Sequence, residues 1–178
     1  MPQAGPVART IVISPADELV EVVDAVGNVE RVVTRAQMRA EVLRHRSTYI
    51  VVRRRNGDLV VHRRADWKDV NPGLWDIAFG GVVGVGEDWT FAAQRELAEE
   101  AGLTDVELLP LGSGTYDEAD GRIVARVFEV KSDAELNCPD GEVAETTEIP
   151  PHAVQDWLQT HAVCPDTVQI VLPLLMSS

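Results

Sequence analysis

Between Gly81 and Leu103 the chain runs GVVGVGEDWTFAAQRELAEEAGL, a stretch that gathers five acids around one arginine. On a helix from Asp88 to Ala101, at about 100° per residue, Glu96, Glu99 and Glu100 fall within an arc of about 100°. They share one face a turn apart, and Ala93, Leu97 and Ala101 fill the neighbouring arc that would seat the helix on a core. Carboxylates about 5 to 6 Å apart repel by roughly 3 kcal/mol per pair at an effective dielectric near 20, and by under about 1 kcal/mol when fully wet. A half-buried cluster of this kind calls for a cation. Oxygen-only donors suit Mg²⁺ or Mn²⁺ rather than zinc, which takes His and Cys, and neither residue type occurs in this stretch. The plain alternative is a solvated acidic face in which Arg95 pairs with Glu99, contributing a few tenths of a kcal/mol. The whole set favours the metal, because Gly80-Gly81 precedes the helix and Gly102 supplies a helix-ending residue after it.

The spacing reads Gly81, five residues, Glu87, seven residues, then Arg95-Glu96-Leu97-Ala98-Glu99-Glu100-Ala101-Gly102-Leu103. It resembles the box of the Nudix hydrolases: Gly, five residues, Glu, seven residues, Arg-Glu-apolar-x-Glu-Glu-x-Gly-apolar. Every specified position matches. The resemblance implies Glu96, Glu99 and Glu100 as metal ligands, the Gly81 carbonyl as a further one, and Mg²⁺ as the ion, with Mn²⁺ the other the set would accept. It implies hydrolysis of a phosphoanhydride bond in a nucleoside diphosphate linked to some group X. Arg95 enters the catalytic set by orienting the glutamates, in a pairing with Glu87 that suits a planar guanidinium. The general base varies across the family. Glu100 is the first candidate, and Glu142 is preferred over Glu145 among later acids, against the alternative that both belong to a polar loop before a terminal helix. Glu148 stands where many relatives carry a tryptophan.

A second resemblance covers about residues 18 to 131. Leu43-Arg44-His45-Arg46, Arg63-Arg64, Lys68, Pro72-Gly73-Leu74-Trp75-Asp76 and Gly80-Gly81 are similar to the isopentenyl-diphosphate isomerase branch of the same superfamily. On that reading Arg64 and Lys68 correspond to residues that grip a diphosphate; otherwise they are surface cations. The isomerases carry a reactive cysteine and a metal-binding histidine where this chain has Gly80-Gly81-Val82, so the resemblance is to their frame without their chemistry. A pyrophosphohydrolase is the leading expectation. A non-catalytic nucleotide-binding regulatory domain is the alternative, followed by the isomerase.

Length and charge bound these expectations. A chain of 178 residues fits one ordinary domain. Its net charge of −13 argues against nucleic-acid polymers and anionic membranes as partners, but not against a small phosphorylated substrate held through bridging cations. Cys138 and Cys164 lack CxxC spacing and read as free thiols of a reducing cytoplasm. With no signal-peptide pattern and no apolar run long enough to span a bilayer, a soluble cytoplasmic protein is expected.

Residues 1–17 carry Pro and Gly and are expected to be loose, with a short strand considered at Arg9–Ile13. Residues 18–178 are expected to form a single domain, of which 18–46 is an N-terminal β-β-α extension. There, LVEVVD and NVERVV flank Gly27-Asn28 as a hairpin, and Thr34-Arg35-Ala36-Gln37 reads as a capping box opening a helix to about Arg44. That hairpin is also the exposed edge considered for a homodimer contact. TYIVVRR and DLVVHRR bracket Asn56-Gly57, the chemistry of a type I′ turn. Strands are expected near Val106–Leu111 and Arg122–Val130, joined through Asp120-Gly121, and two C-terminal helices open at Pro150-Pro151 and Pro165-Asp166. The order suits an α+β layer sandwich, in agreement with the α/β/α sandwich of the Nudix fold. Trp67, Trp75 and Phe79 are read either as core or as a wall against a base or prenyl group. His45 and His62 have no partner at ligand spacing and are read as structural or surface residues. Tyr116 and Asp117 are candidates for a pocket mouth.

Overall fold

The computed structural model describes residues 14–177. The strand considered at Arg9–Ile13 lies outside them, and of the N-terminal segment only a 3₁₀ turn at Pro15–Asp17 is described.

The described residues build one eight-stranded sheet around β3 (His45–Arg53). Successive side chains of a strand point to opposite faces, and β3 uses this to feed two cores. Tyr49 and Val51 join one cluster, Ile50 and Val52 the other. Along one edge β3 runs parallel to β7 (Gly121–Lys131), which pairs antiparallel with β6 (Leu109–Glu118).

The other edge of β3 splits. It pairs with β4 (Leu59–Arg64) only at Val52↔Val60 and Arg53↔Leu59, beside their shared turn. Farther along, the segment Phe79–Gly84 occupies the seam between them. Ile50 and Phe79 exchange backbone hydrogen bonds of 2.7 and 2.9 Å, and the Thr48 N–H donates to the Gly81 carbonyl at 3.0 Å. The far end of β4 pairs with β5 (Trp75–Asp76), and β8 (Val143–Ile149) runs antiparallel along it.

Helices close both faces. α2 (Trp89–Ala101) packs Ala93, Leu97 and Ala101 on Ile50, Val52 and Phe79. On the opposite face α3 (Val154–Thr160) and α4 (Pro165–Met176) supply Val154, Ile170 and Val171 to Tyr49, Val51 and Val61. The architecture is an α+β, α/β/α sandwich. The hairpin of β1 (Leu19–Val23) and β2 (Val29–Thr34) joins the sheet through Val22↔His45, and α1 (Arg35–Ala40) packs Met38 on Val20, Val22 and Val33.

Four local expectations need correction. The Thr34 hydroxyl caps α1 by accepting from the Gln37 N–H at 3.2 Å, but the helix stops at Ala40 rather than Arg44. Val42 turns left-handed, with φ 49°, so that Leu43 reaches the Val20–Met38 cluster and His45 enters β3; packing overrides the local pattern. The turn at Asn56-Gly57 is not type I′, which needs positive φ at both central residues. Here the Gly57 N–H donates to the Arg54 carbonyl, Gly57 alone has positive φ, 100°, and the Asn56 side chain accepts from the Asp58 N–H. The strand expected from Val106 begins at Leu109. Finally, Val143–Ile149, read as part of a polar loop, is β8: the free edge of β4 supplies backbone partners that a mostly exposed Ala144–Glu148 stretch does not advertise.

Candidate functional site

The seam opens into a cavity of about 670 Å³, within the range of small-molecule sites. α2 forms one wall. Its start is fixed by the Asp88 side chain, which accepts from the Thr90 N–H at 2.8 Å, and its end by Gly102 at φ 69°. Between these caps Glu96 and Glu100 are buried, at 9% and 5% exposure, while Glu99 stays at the exposed rim.

Arg95 organises this wall. Its Nε and Nη2 donate to the two oxygens of Glu87 at 2.9 and 3.0 Å, and Nη1 reaches Glu96 at 2.7 Å and Glu99 at 3.1 Å. Glu87 also accepts from the Gly84 N–H at 2.7 Å, so the loop before the helix is tied to the same guanidinium. The expected Glu87–Arg95 pairing is present. Two glycines let the backbone come close. A Cβ on Gly81 would lie 2.7 Å from the Glu96 carboxylate, and one on Gly80 would overlap the Thr48 carbonyl oxygen. The Gly80 N–H donates to Glu100 Oε2 at 2.9 Å, leaving Oε1 for the cavity.

Burial decides the protonation of these acids. It pushes Glu100 up to about 8, with the Gly80 hydrogen bond pulling the other way and Glu96 adding to the rise. Burial also raises Glu96, against the pull of Arg95. Such carboxylates need positive charge to stay ionised at neutral pH. The carboxylate oxygens of Glu100, Asp140 and Glu142 lie within 4.8 Å of one another. Together with the box glutamates they give an all-oxygen donor set, which fits a hard divalent cation.

Opposite stand cations. Arg64 donates twice to the Val70 carbonyl, at 3.2 and 3.0 Å, and lies 3.8 Å from Asp76. Lys68 is paired with Glu142, and burial, then the charge of Arg64, lowers its pKa. Arg64, Lys68, Glu96, Glu99, Glu100 and Glu142, with Gly81 and Arg95, all border the same cavity. At its floor the Tyr49 hydroxyl donates to Asp166 at 2.6 Å, and burial with the charge of Asp166 pushes Asp76 up to about 7.

Other candidates separate. Trp67 is 65% exposed, Trp75 meets the Trp157 ring edge-on at 5.5 Å, and Phe79 stacks on the fully buried His62 at 4.4 Å. Among the described residues no Trp or Phe lines the cavity, so the aromatic wall is not formed. Tyr116 lines it; Asp117 instead pairs with Arg44. His45 is buried in the cavity wall with Nδ1 3.2 Å from the Leu43 carbonyl. Cys138 and Cys164 are free thiols and neither lines the cavity. The sequence reading missed Asp140, two residues before Glu142 in a turn closed by the Gly141 N–H donating to the Cys138 carbonyl, and missed Arg35 and Arg39 of α1, which also border the cavity.

An α/β/α sandwich whose split sheet holds buried carboxylates against a row of cations defines a class of proteins that work on phosphorylated compounds. The chain matches the NUDIX domain family over residues 43–166, and is 38% identical over 135 residues to an uncharacterised Nudix hydrolase of Pseudomonas aeruginosa, covering 76% of this chain and 80% of that one. It belongs to the Nudix hydrolase family, enzymes that act on phosphoanhydride-containing substrates with divalent metals. In fold it is similar to the crystal structure of DR0079 from Deinococcus radiodurans (TM-score 0.77, 22% identity, 90% of this chain and 98% of that one). It is also similar to the NUDIX domain of Shewanella oneidensis NrtR, solved with ADP ribose (TM-score 0.61, 17% identity, 82% and 98%). Among the described residues no helix is long and apolar enough to cross a membrane.

Proposed function

We propose that the protein is a Mg²⁺-dependent pyrophosphohydrolase that cleaves a phosphoanhydride bond in a nucleoside diphosphate linked to a further group. One observation carries the reading: buried Glu96 and Glu100 face Arg64 and Lys68 across a single cavity of about 670 Å³. Glu96, Glu99, Glu100 and the Gly81 carbonyl would hold the ion, with Asp140 and Glu142 close enough to Glu100 to share in it. Bound Mg²⁺ supplies neutralisation of the diphosphate and acidification of a water.

The remaining steps belong to side chains. Arg64 and Lys68 hold the diphosphate, and Lys68 exchanges its Glu142 partner for a phosphate oxygen. Glu100 Oε1 takes the proton of the attacking water, the role for which it is preferred over Glu142. Arg95 positions Glu96 and Glu99 through its clamp on Glu87 and does not touch the substrate. The Arg63-Arg64 to Trp75-Asp76 segment supports membership of the isomerase-like branch, while Gly80-Gly81-Val82 and the absence of a cavity thiol among the described residues speak against isomerase chemistry.

The test is phosphate and pyrophosphate release with Mg²⁺ over a panel of nucleotides, dinucleotides, sugar nucleotides and prenyl diphosphates, beside Glu100→Gln. Turnover of one class that the folded variant lacks is the expected result. Nucleotide binding without any turnover would overturn it in favour of a regulatory domain.

A further inference from the structure

The cavity is bordered by cations beyond the two assigned to the diphosphate. α1 contributes Arg35 and Arg39, one turn apart on the same face and both bordering the cavity. Each is incompletely matched. Arg35 Nη2 lies 2.8 Å from Glu18 and Arg39 Nη1 2.8 Å from Asp69, yet the Nε atoms of both are buried with no acceptor, and the Arg39 Nη1 contact lacks hydrogen-bond alignment. The two carboxylates are 46% and 65% exposed, so these are screened surface pairs of small net value. Burial, with the like charges of Arg35 and Arg64 adding to it and Asp69 opposing, holds Arg39 below the usual arginine range. An anion bound in the cavity would give both guanidiniums a second charge partner.

We infer that Arg35 and Arg39 form a subsite for a phosphate monoester that the substrate carries in addition to its diphosphate. The inference rests on the pyrophosphohydrolase reading and extends it to a substrate class. Two planar guanidiniums offer forked donors suited to the terminal oxygens of a dianionic phosphoryl group. The division of labour follows from position: Arg64 ends β4 and Lys68 lies on the loop after it, both close enough for their charges to act on Glu100, whereas Arg35 and Arg39 lie on α1. No Trp or Phe lines the cavity among the described residues, and its tyrosines, Tyr49 and Tyr116, are buried with their hydroxyls held by Asp166 and Asp120, so base stacking does not carry selection. Charge carries it instead, between Met38 and Leu43 on the same wall.

The experiment compares substrates that differ by one phosphate: coenzyme A against dephospho-coenzyme A, and NADPH against NADH. The phosphorylated member of a hydrolysed pair is expected to have kcat/KM at least about tenfold higher, a preference that falls to near unity in Arg39→Gln and Arg35→Gln and survives in part in Arg39→Lys. Arg55→Gln, on a surface pair remote from the cavity, should keep it. A preference near unity in the wild type, or one that survives both glutamine variants, overturns the subsite. If neither pair turns over, calorimetry in EDTA decides, with adenosine 3′,5′-bisphosphate and adenosine 5′-monophosphate as probes. At least tenfold tighter binding of the bisphosphate, lost in Arg39→Gln with an unchanged circular-dichroism spectrum, supports the subsite even if the whole hydrolysis panel is negative. Equal binding of the two probes overturns it.

Discussion

α2 and α1 face the same cavity with opposite charge, and they are anchored in different ways. α2 is thirteen residues long, capped at both ends, seated by four fully buried apolar side chains, and its acids are tied by one guanidinium to the loop before it. α1 has six residues, one capping hydroxyl and one buried side chain, and its arginines lean on carboxylates at the surface. The contrast matches the two tasks assigned to the walls. Groups that hold an ion and move a proton tolerate little misplacement. Groups that select a substrate can exchange one oxyanion for another. On this reading, damage to the α2 wall should appear in kcat, and damage to the cationic wall in KM.

The largest effect is expected from Glu100→Gln, which keeps the hydrogen-bonding shape but not the charge: kcat should fall about 10³-fold, with the melting temperature maintained or raised, because a buried acid has been replaced by a neutral amide. A kcat within tenfold of wild type would move the base to Glu142 or Asp140. Next, Arg95→Ala should lower kcat roughly 10- to 100-fold and raise the Mg²⁺ concentration needed for half-activity, as loss of a ligand-orienting group does. A change in KM alone would mean that Arg95 belongs with the cationic wall. For Arg64→Ala the expectation is a KM increase of about tenfold, the size of one charged hydrogen bond, with kcat less affected; steady-state kinetics on the best substrate of the panel reads both.

The smallest effect concerns stability in acid. His45 lies on the arginine wall, and burial, with Arg39 and Arg35 adding to it against the Leu43 hydrogen bond, pushes it down to about 4. The unfolded chain would take up a proton near pH 6.5. Its folded pKa being the lower one, His45 contributes stability that is present above pH 6.5 and lost as pH falls toward 4. Relative to His45→Gln, the wild type should lose up to about 1.4 kcal/mol per pH unit in that window, measurable by urea unfolding at several pH values. Parallel curves would show that this wall is wetter than described.

What could be read from the residues followed the same contrast. The α2 site was legible because the residues it needs lie in one contiguous stretch, where helical geometry alone brings Glu96, Glu99 and Glu100 together. The division into two cores was not, because Tyr49 to Val52 is an unbroken apolar run that does not say which side chain faces which layer. Arg35 and Arg39 were not, since two arginines on a short helix look like any solvated surface until the fold turns them onto a cavity. Asp140 meets Glu100 from 40 positions further along the chain, which only the return of β8 beside β4 brings about. β8 itself was hidden because its stability comes from the edge it joins rather than from a buried face of its own.

The seam between β3 and β4 carries one more consequence, for the timing of local motions. The backbone that surrounds the box glutamates is hydrogen-bonded to the central strand, through Ile50 to Phe79 and Thr48 to Gly81. Opening that segment would strip partners from the best-buried strand of the sheet, so it cannot fray as a surface loop does. Amide exchange at Thr48 and Ile50 should therefore be as slow as global unfolding, making these two protons reporters of whether the wall of the cavity opens on its own.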